Sequence, residues 1–96
     1  VLPATFTLAP AQPNPFNPST AISYEVPHQV HITITEYNIL GQSVVNLVDQ
    51  LKATGSYIAS WHGKNERGAG VASGIYVYRL TSSTGFSETK RMTLLK

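Results

Sequence analysis

Apolar and polar residues alternate along most of this chain with a period of two. Ile22, Tyr24 and Val26 share one parity, with Ala21, Ser23 and Glu25 between them. In an extended strand successive side chains point to opposite faces, so this run has one buried face and one wet face. Val30, Ile32 and Ile34 repeat the pattern, with His31, Thr33 and Thr35 turned outward. Tyr57, Ala59 and Trp61 form a third inward set, Tyr76, Tyr78 and Leu80 a fourth, and Met92 with Leu94 a fifth. Thr5 to Leu8 has room for a short opening strand. Val44 to Leu51 is ambiguous, because Val44, Leu47, Val48 and Leu51 also fit one helical face. The β-branched Val44 and Val45 and the neighbouring strands tip this stretch towards strand.

Residues that break strands stand between these runs. Pro13-Asn14-Pro15-Phe16-Asn17-Pro18 is expected to continue no ladder, since its three prolines lack the amide hydrogen and restrict the residues before them. Phe16 is expected to plug one end of the fold and fix this turn. Pro27 closes the second run. Leu40-Gly41-Gln42 places a glycine where a turn needs positive φ, and Gly74 is expected to need a similar freedom. Residues 63–74 hold four glycines and the polar run Lys64-Asn65-Glu66-Arg67, which reads as a long loop. Ser82-Ser83-Thr84-Gly85 reads as a hairpin connection. Short strands at such spacing predict an all-β fold, an antiparallel sandwich.

Length and charge narrow the functional classes. Ninety-six residues make a single domain, 1–96, with one modest core and little room for an enclosed substrate cleft. Charged residues are 12% of the chain against about 25% in ordinary soluble domains, so Ser, Thr, Asn and Gln must form much of the surface. A net charge of +2, with Lys90-Arg91 as the one adjacent basic pair, argues against a nucleic-acid partner. That pair fits a guarded strand edge. Without cysteine there is neither a disulfide framework nor a thiolate metal site. No apolar run approaches the roughly 18–20 residues of a membrane-spanning helix. Val1-Leu2-Pro3 has no basic stretch leading into an apolar one, so this start is not expected to be a secretory signal peptide. The expectation is a piece of a longer protein, with residues 1–4 as a linker to an upstream cargo domain and Lys96 as the natural end.

Catalytic chemistry finds little to work with. His28 and His31 are three apart, which in a strand sends them to opposite faces, and His62 lies beyond another strand. No metal or other cofactor is expected. Glu25, Glu36, Asp49, Glu66 and Glu88 are each isolated, and no Ser sits in a Gly-x-Ser-x-Gly elbow; Ala72-Ser73-Gly74 matches only its small residues. The chain is therefore read as no enzyme. A stacking platform for sugars needs exposed rings, and Tyr37 is the best exposed candidate, since the other large aromatics point inward.

Pro13-Asn14-Pro15-Phe16-Asn17-Pro18-Ser19-Thr20, followed by Ile22, Tyr24 and Val26-Pro27, resembles the opening of the type A C-terminal sorting domains of the bacterial type IX secretion system. The likeness continues through Tyr37-Asn38-Ile39-Leu40-Gly41-Gln42, Gly55-Ser56-Tyr57, Trp61-His62-Gly63, the run from Val71 to Leu80, and Thr89-Lys90-Arg91-Met92-Thr93-Leu94-Leu95-Lys96. The middle portion is also similar to the Ig-like domain of flagellar hook-capping proteins, where His62 stands in place of an Asp in a Trp-Asp-Gly turn. The resemblance implies an Ig-like antiparallel β-sandwich of about seven strands. It implies a domain recognised by the type IX outer-membrane translocon and removed by a surface signal peptidase, on a protein that ends secreted or at the cell surface. The residues it points to for translocon recognition are Pro13, Asn14, Pro15, Gly41, Gly74, Tyr76, Lys90, Met92 and Lys96. A stiff proline segment and a terminal edge strand, offering Lys90 and Lys96 beside an open ladder, suit such recognition. The alternative is an accessory carbohydrate-binding or spacer module of a secreted polysaccharide-degrading enzyme.

Overall fold

In the computed structural model, which describes residues 3–96, the alternation becomes burial strand by strand. The expected linker at residues 1–4 falls partly on Val1 and Leu2, outside the described residues. Seven strands form: β1 (Thr7–Leu8), β2 (Thr20–Val26), β3 (Val30–Asn38), β4 (Ser43–Lys52), β5 (Gly55–Trp61), β6 (Gly74–Ser82) and β7 (Ser87–Leu94). They make a three-stranded sheet in the order β1-β2-β5 and a four-stranded sheet in the order β4-β3-β6-β7, with every pairing antiparallel. The two sheets pack as a sandwich.

Ile22, Tyr24, Val26, Val30, Ile32, Ile34, Ala59, Trp61, Tyr76, Tyr78, Leu80, Met92 and Leu94 are all buried between the sheets. Each such large side chain contributes about 1.5–3 kcal/mol by leaving water. Tyr57 alone of the expected inward set is only half-buried, stacked on Tyr24 at 5.5 Å. Buried aromatics also need their polar atoms satisfied. Trp61 Nε1 donates to Lys64 O at 2.9 Å, Tyr76 Oη to Ala72 O at 2.6 Å, and Tyr78 Oη to Ala9 O at 2.8 Å.

The strand assignment for 44–51 holds, and the structure explains the spacing from Val44 to Val48, while Leu51 lies opposite the outward His31 and is 61% exposed. The β3–β4 register shifts between Ile34 and Thr35 and again between Glu36 and Tyr37. Ile34 faces Val48 and Glu36 faces Val45, leaving Leu47 and Val44 as the extra residues. A bulge inserts one residue and resets the parity, so two bulges convert offsets of two into offsets of three. Thr35, expected on the wet face, is covered there, with its Oγ1 donating to Asn46 Oδ1 at 2.7 Å.

The proline segment continues no ladder, as expected, but Phe16 within it and Gln12 just before it make isolated bridges. Prolines cannot donate, but the residues between them can. Gln12 and Ala21 exchange two backbone bonds of 2.9 Å. Phe16 forms a parallel bridge to the last strand, donating to Thr93 O and accepting from Leu95 N, each at 2.9 Å. The peptide bonds before Pro13, Pro15 and Pro18 are cis. Phe16 is 1% exposed and lies 5.5 Å from the Trp61 ring, so it does plug this end of the core.

Candidate functional site

Strand register brings most of the singled-out segments to one end of the sandwich. Asn38 faces Tyr76, Gly74 faces Leu94, and Thr20 faces Trp61. The β3–β4 turn, the 62–73 loop, the start of β6, the tail after β7 and the proline segment therefore share that end. Side-chain bonds fasten the proline segment, the 62–73 loop and the tail to one another. Asn14 Oδ1 accepts from Thr93 N at 2.9 Å, Thr20 Oγ1 donates to Pro13 O at 2.8 Å, and Lys96 N donates to Ser73 Oγ at 2.9 Å. A Cβ at Gly70 would lie 3.0 Å from Lys96 Nζ, which places the terminal lysine across the 62–73 loop.

Each loop here is braced by an asparagine. Asn38 Oδ1 accepts from Leu40 N and Gln42 N at 3.0 Å, and its Nδ2 donates to Gln42 Oε1 at 2.8 Å. Gly41 has φ +82° with nothing within 4 Å of its missing Cβ, so backbone conformation alone selects glycine. In the 62–73 loop, Asn65 Oδ1 accepts from Arg67 N at 3.0 Å and Ala69 N at 3.1 Å. Asn65 thus supplies the Asx-type bracing that His62 does not. His62 Nδ1 is instead bonded to Ser19 Oγ at 2.8 Å, tying the loop to the proline segment.

The nine residues singled out above divide into three groups. Pro13, Asn14, Pro15, Gly41 and Lys96 are exposed at this end, with Gly74 (φ +152°) half-buried beside them. Tyr76 and Met92 are in the core, 6% and 1% exposed, where they shape the end without being touchable from outside. Lys90 is apart: it sits mid-strand opposite Tyr78, with its Nζ 3.4 Å from Glu88 Oε2. Strand β7 is an edge, but its ladder is not fully open. Thr93 and Leu95 already spend their outward groups on Asn14 and Phe16. By alternation, the outward backbone groups left for a partner are those of Ser87, Thr89 and Arg91.

The expected sugar platform is not free. Tyr37 is half-buried, with the Arg79 guanidinium 5.4 Å above its ring. The histidines are dispersed: His28 packs edge-on to Phe6, His31 pairs with Asp49, and His62 holds Ser19. Among the described residues no three His, Asp or Glu side chains gather as a metal site. An open depression of about 680 Å³ runs along Pro10 to Asn14. A second groove of about 730 Å³ crosses the outer face of the three-stranded sheet, where Glu25 accepts from Thr7 Oγ1 at 3.0 Å and Ser56 Oγ at 3.2 Å. No helix among the described residues is long and apolar enough to cross a membrane.

One residue was passed over in the sequence. Glu36 is fully buried, and neither carboxylate oxygen has a hydrogen-bond partner among the described residues. Burial pushes its pKa up to about 8, so it is a neutral acid at pH 7. Its signal was parity: 36 continues the inward series 30, 32, 34. Next to it on β6, burial also raises the Tyr78 hydroxyl, to about 12.

No family model matches the chain, and no curated protein matches it. Among solved structures it is similar to PorZ, an essential bacterial surface component of the type-IX secretion system of Porphyromonas gingivalis, with TM-score 0.64 and 17% identity over 93% of this chain. The chain spans 11% of that protein's length. CopC from Methylosinus trichosporium OB3b superposes with TM-score 0.48 at 18% identity, over 94% of this chain and 91% of CopC. At these identities the PorZ likeness speaks for the fold.

Proposed function

We propose that this chain is a non-catalytic sorting domain, carried by an upstream cargo and read by the type IX outer-membrane translocon. In this reading a signal peptidase at the cell surface then removes it, and the cargo is released or held at the cell surface. The observation that carries the reading is convergence. Segments far apart in sequence, at 13–19, 62–74 and 93–96, meet at one end of the frame and are bonded to one another there, with the self-braced 38–42 turn beside them. A fold needs turns, but it does not need Asn14 to clasp the tail, or Asn38 and Asn65 each to stiffen its own loop. Such pre-organisation lowers the entropy lost on docking. The shared fold with a portion of PorZ, itself a type IX component, supports the same reading.

The test is transplantation. The full chain, residues 1–96, fused behind a periplasmic reporter should send it out of a type IX-competent cell and leave it inside a strain lacking the translocon. Removing residues 92–96 should abolish export. A folded fusion that stays in the periplasm of the competent strain would overturn the proposal.

A further inference from the structure

At the candidate end, the β3–β4 turn presents two adjacent apolar side chains that nothing among the described residues covers. Ile39 is 75% and Leu40 79% exposed, the highest values among the exposed large apolar residues. Single exposed apolar residues need no explanation, but these two neighbours sit on a stiff turn. Besides the Asn38 side-chain bonds, Asn38 N donates to Gln42 O at 3.0 Å and Gly41 N to Asn38 O at 2.9 Å. The register continues the apolar surface sideways, since Asn38 faces Tyr76 and the next outward residue there is Ile75, 41% exposed. Leu95, 52% exposed, follows beyond Leu94.

Charge around this surface is one-sided. Lys64, Arg67 and Lys96 are exposed at this end, Arg91 lies one strand pair away, and Glu66 is the one acid among them. The other acids are elsewhere or engaged. Glu25 takes the Thr7 and Ser56 hydroxyls on the opposite sheet, Asp49 pairs with His31, Glu88 lies beside Lys90, and Glu36 is buried. Apolar anchors within a charged rim are the usual composition of a docking surface, and the rim's sign sets the complementary partner.

We infer that Ile39 and Leu40 are the anchors with which this end docks, and that the partner is a protein surface offering an apolar pocket rimmed by carboxylates. The inference rests on the sorting reading above and names the chemistry of the surface that reads it. Anchors of this kind bind through area taken from water, so truncating both to a polar side chain removes the docking energy while sparing a fold they do not support.

The test uses the reporter fused to the full chain, residues 1–96, comparing the wild type with Ile39→Ser/Leu40→Ser. Ile58→Ser is the matched control, because Ile58 is 70% exposed on the other sheet. The double variant should melt with the wild type and lose export about tenfold or more. Ile58→Ser should export normally, Ile39→Val/Leu40→Met should restore export, and Lys64→Glu/Arg67→Glu should lower it and make it less salt-sensitive in a purified binding assay. Normal export of the double variant overturns the inference and leaves the sorting reading standing; failure of the wild type overturns both. An equal loss in Ile58→Ser would also overturn it. Binding of the wild type to phosphatidylcholine–phosphatidylglycerol vesicles, lost in a double variant that still exports, would reassign the tip to a lipid surface and overturn it as well.

Discussion

Replacing Glu36 by Gln removes a proton equilibrium from the middle of the core, and its effect on stability can be worked out. The folded carboxyl has a pKa of about 8, against 4.5 for the unperturbed group. Folding therefore holds a proton that the unfolded chain releases near pH 4.5. The stability is fully present below the unfolded pKa and is lost as pH rises through the folded one. A gap of roughly 3.5 in pKa, at 1.36 kcal/mol per pH unit, amounts to about 5 kcal/mol. That is comparable to the whole stability of a small domain, about 5–15 kcal/mol. No charge opposes the effect from the adjacent strands. Tyr78 on β6 is neutral across this range and Val45 on β4 is apolar, while Lys90 lies beyond Tyr78 and next to Glu88. Urea unfolding, followed through the single buried Trp61, is the assay, run from pH 4.5 to 9 on wild type and Glu36→Gln. Taking the difference between the two cancels every other titrating group. The variant should gain on the wild type by about 1.4 kcal/mol per pH unit above pH 5, flattening above pH 8. A difference that stays constant within about 1 kcal/mol over that range would refute the buried, unpaired carboxyl.

Other perturbations probe the candidate end. Phe16→Ala leaves a cavity against Trp61 and should cost about 3–5 kcal/mol, read as a lower urea midpoint with altered Trp61 emission. Asn14→Ala should cost about 0.5–1.5 kcal/mol and speed hydrogen exchange at Thr93 and Leu95 while leaving Ile32 and Tyr78 protected. Gly41→Ala meets no neighbour and should cost about 1 kcal/mol through φ alone, with Gly41→Asn costing less in the same urea titration.

Burial by alternation was readable in advance because parity is a local property. Ile22 to Val26 or Tyr76 to Leu80 need only their own spacing to be placed. Glu36 obeyed the same rule and was still missed, since its charge suggested water and parity suggested core. The β4 stretch was hard for a related reason: bulges at Leu47 and Val44 rewrite the period, and a bulge depends on the partner strand. The candidate end was legible as separate turns, with Gly41 and the prolines as their marks. Its joining was not, because the bond from Asn14 to Thr93 spans 79 positions and no local pattern encodes it. Lys90 illustrates the converse, since closeness in sequence to Met92 and Lys96 did not bring it to the same place.

The clasp between Asn14, Phe16, Thr93 and Leu95 has a consequence in time. A chain emerging from the ribosome makes 13–18 early and 93–96 among the last of these residues, so the composite end exists only after both have arrived and met. The surface is therefore displayed only by chains in which both segments are present and folded against each other. The clasp thereby makes this surface a report on its own assembly.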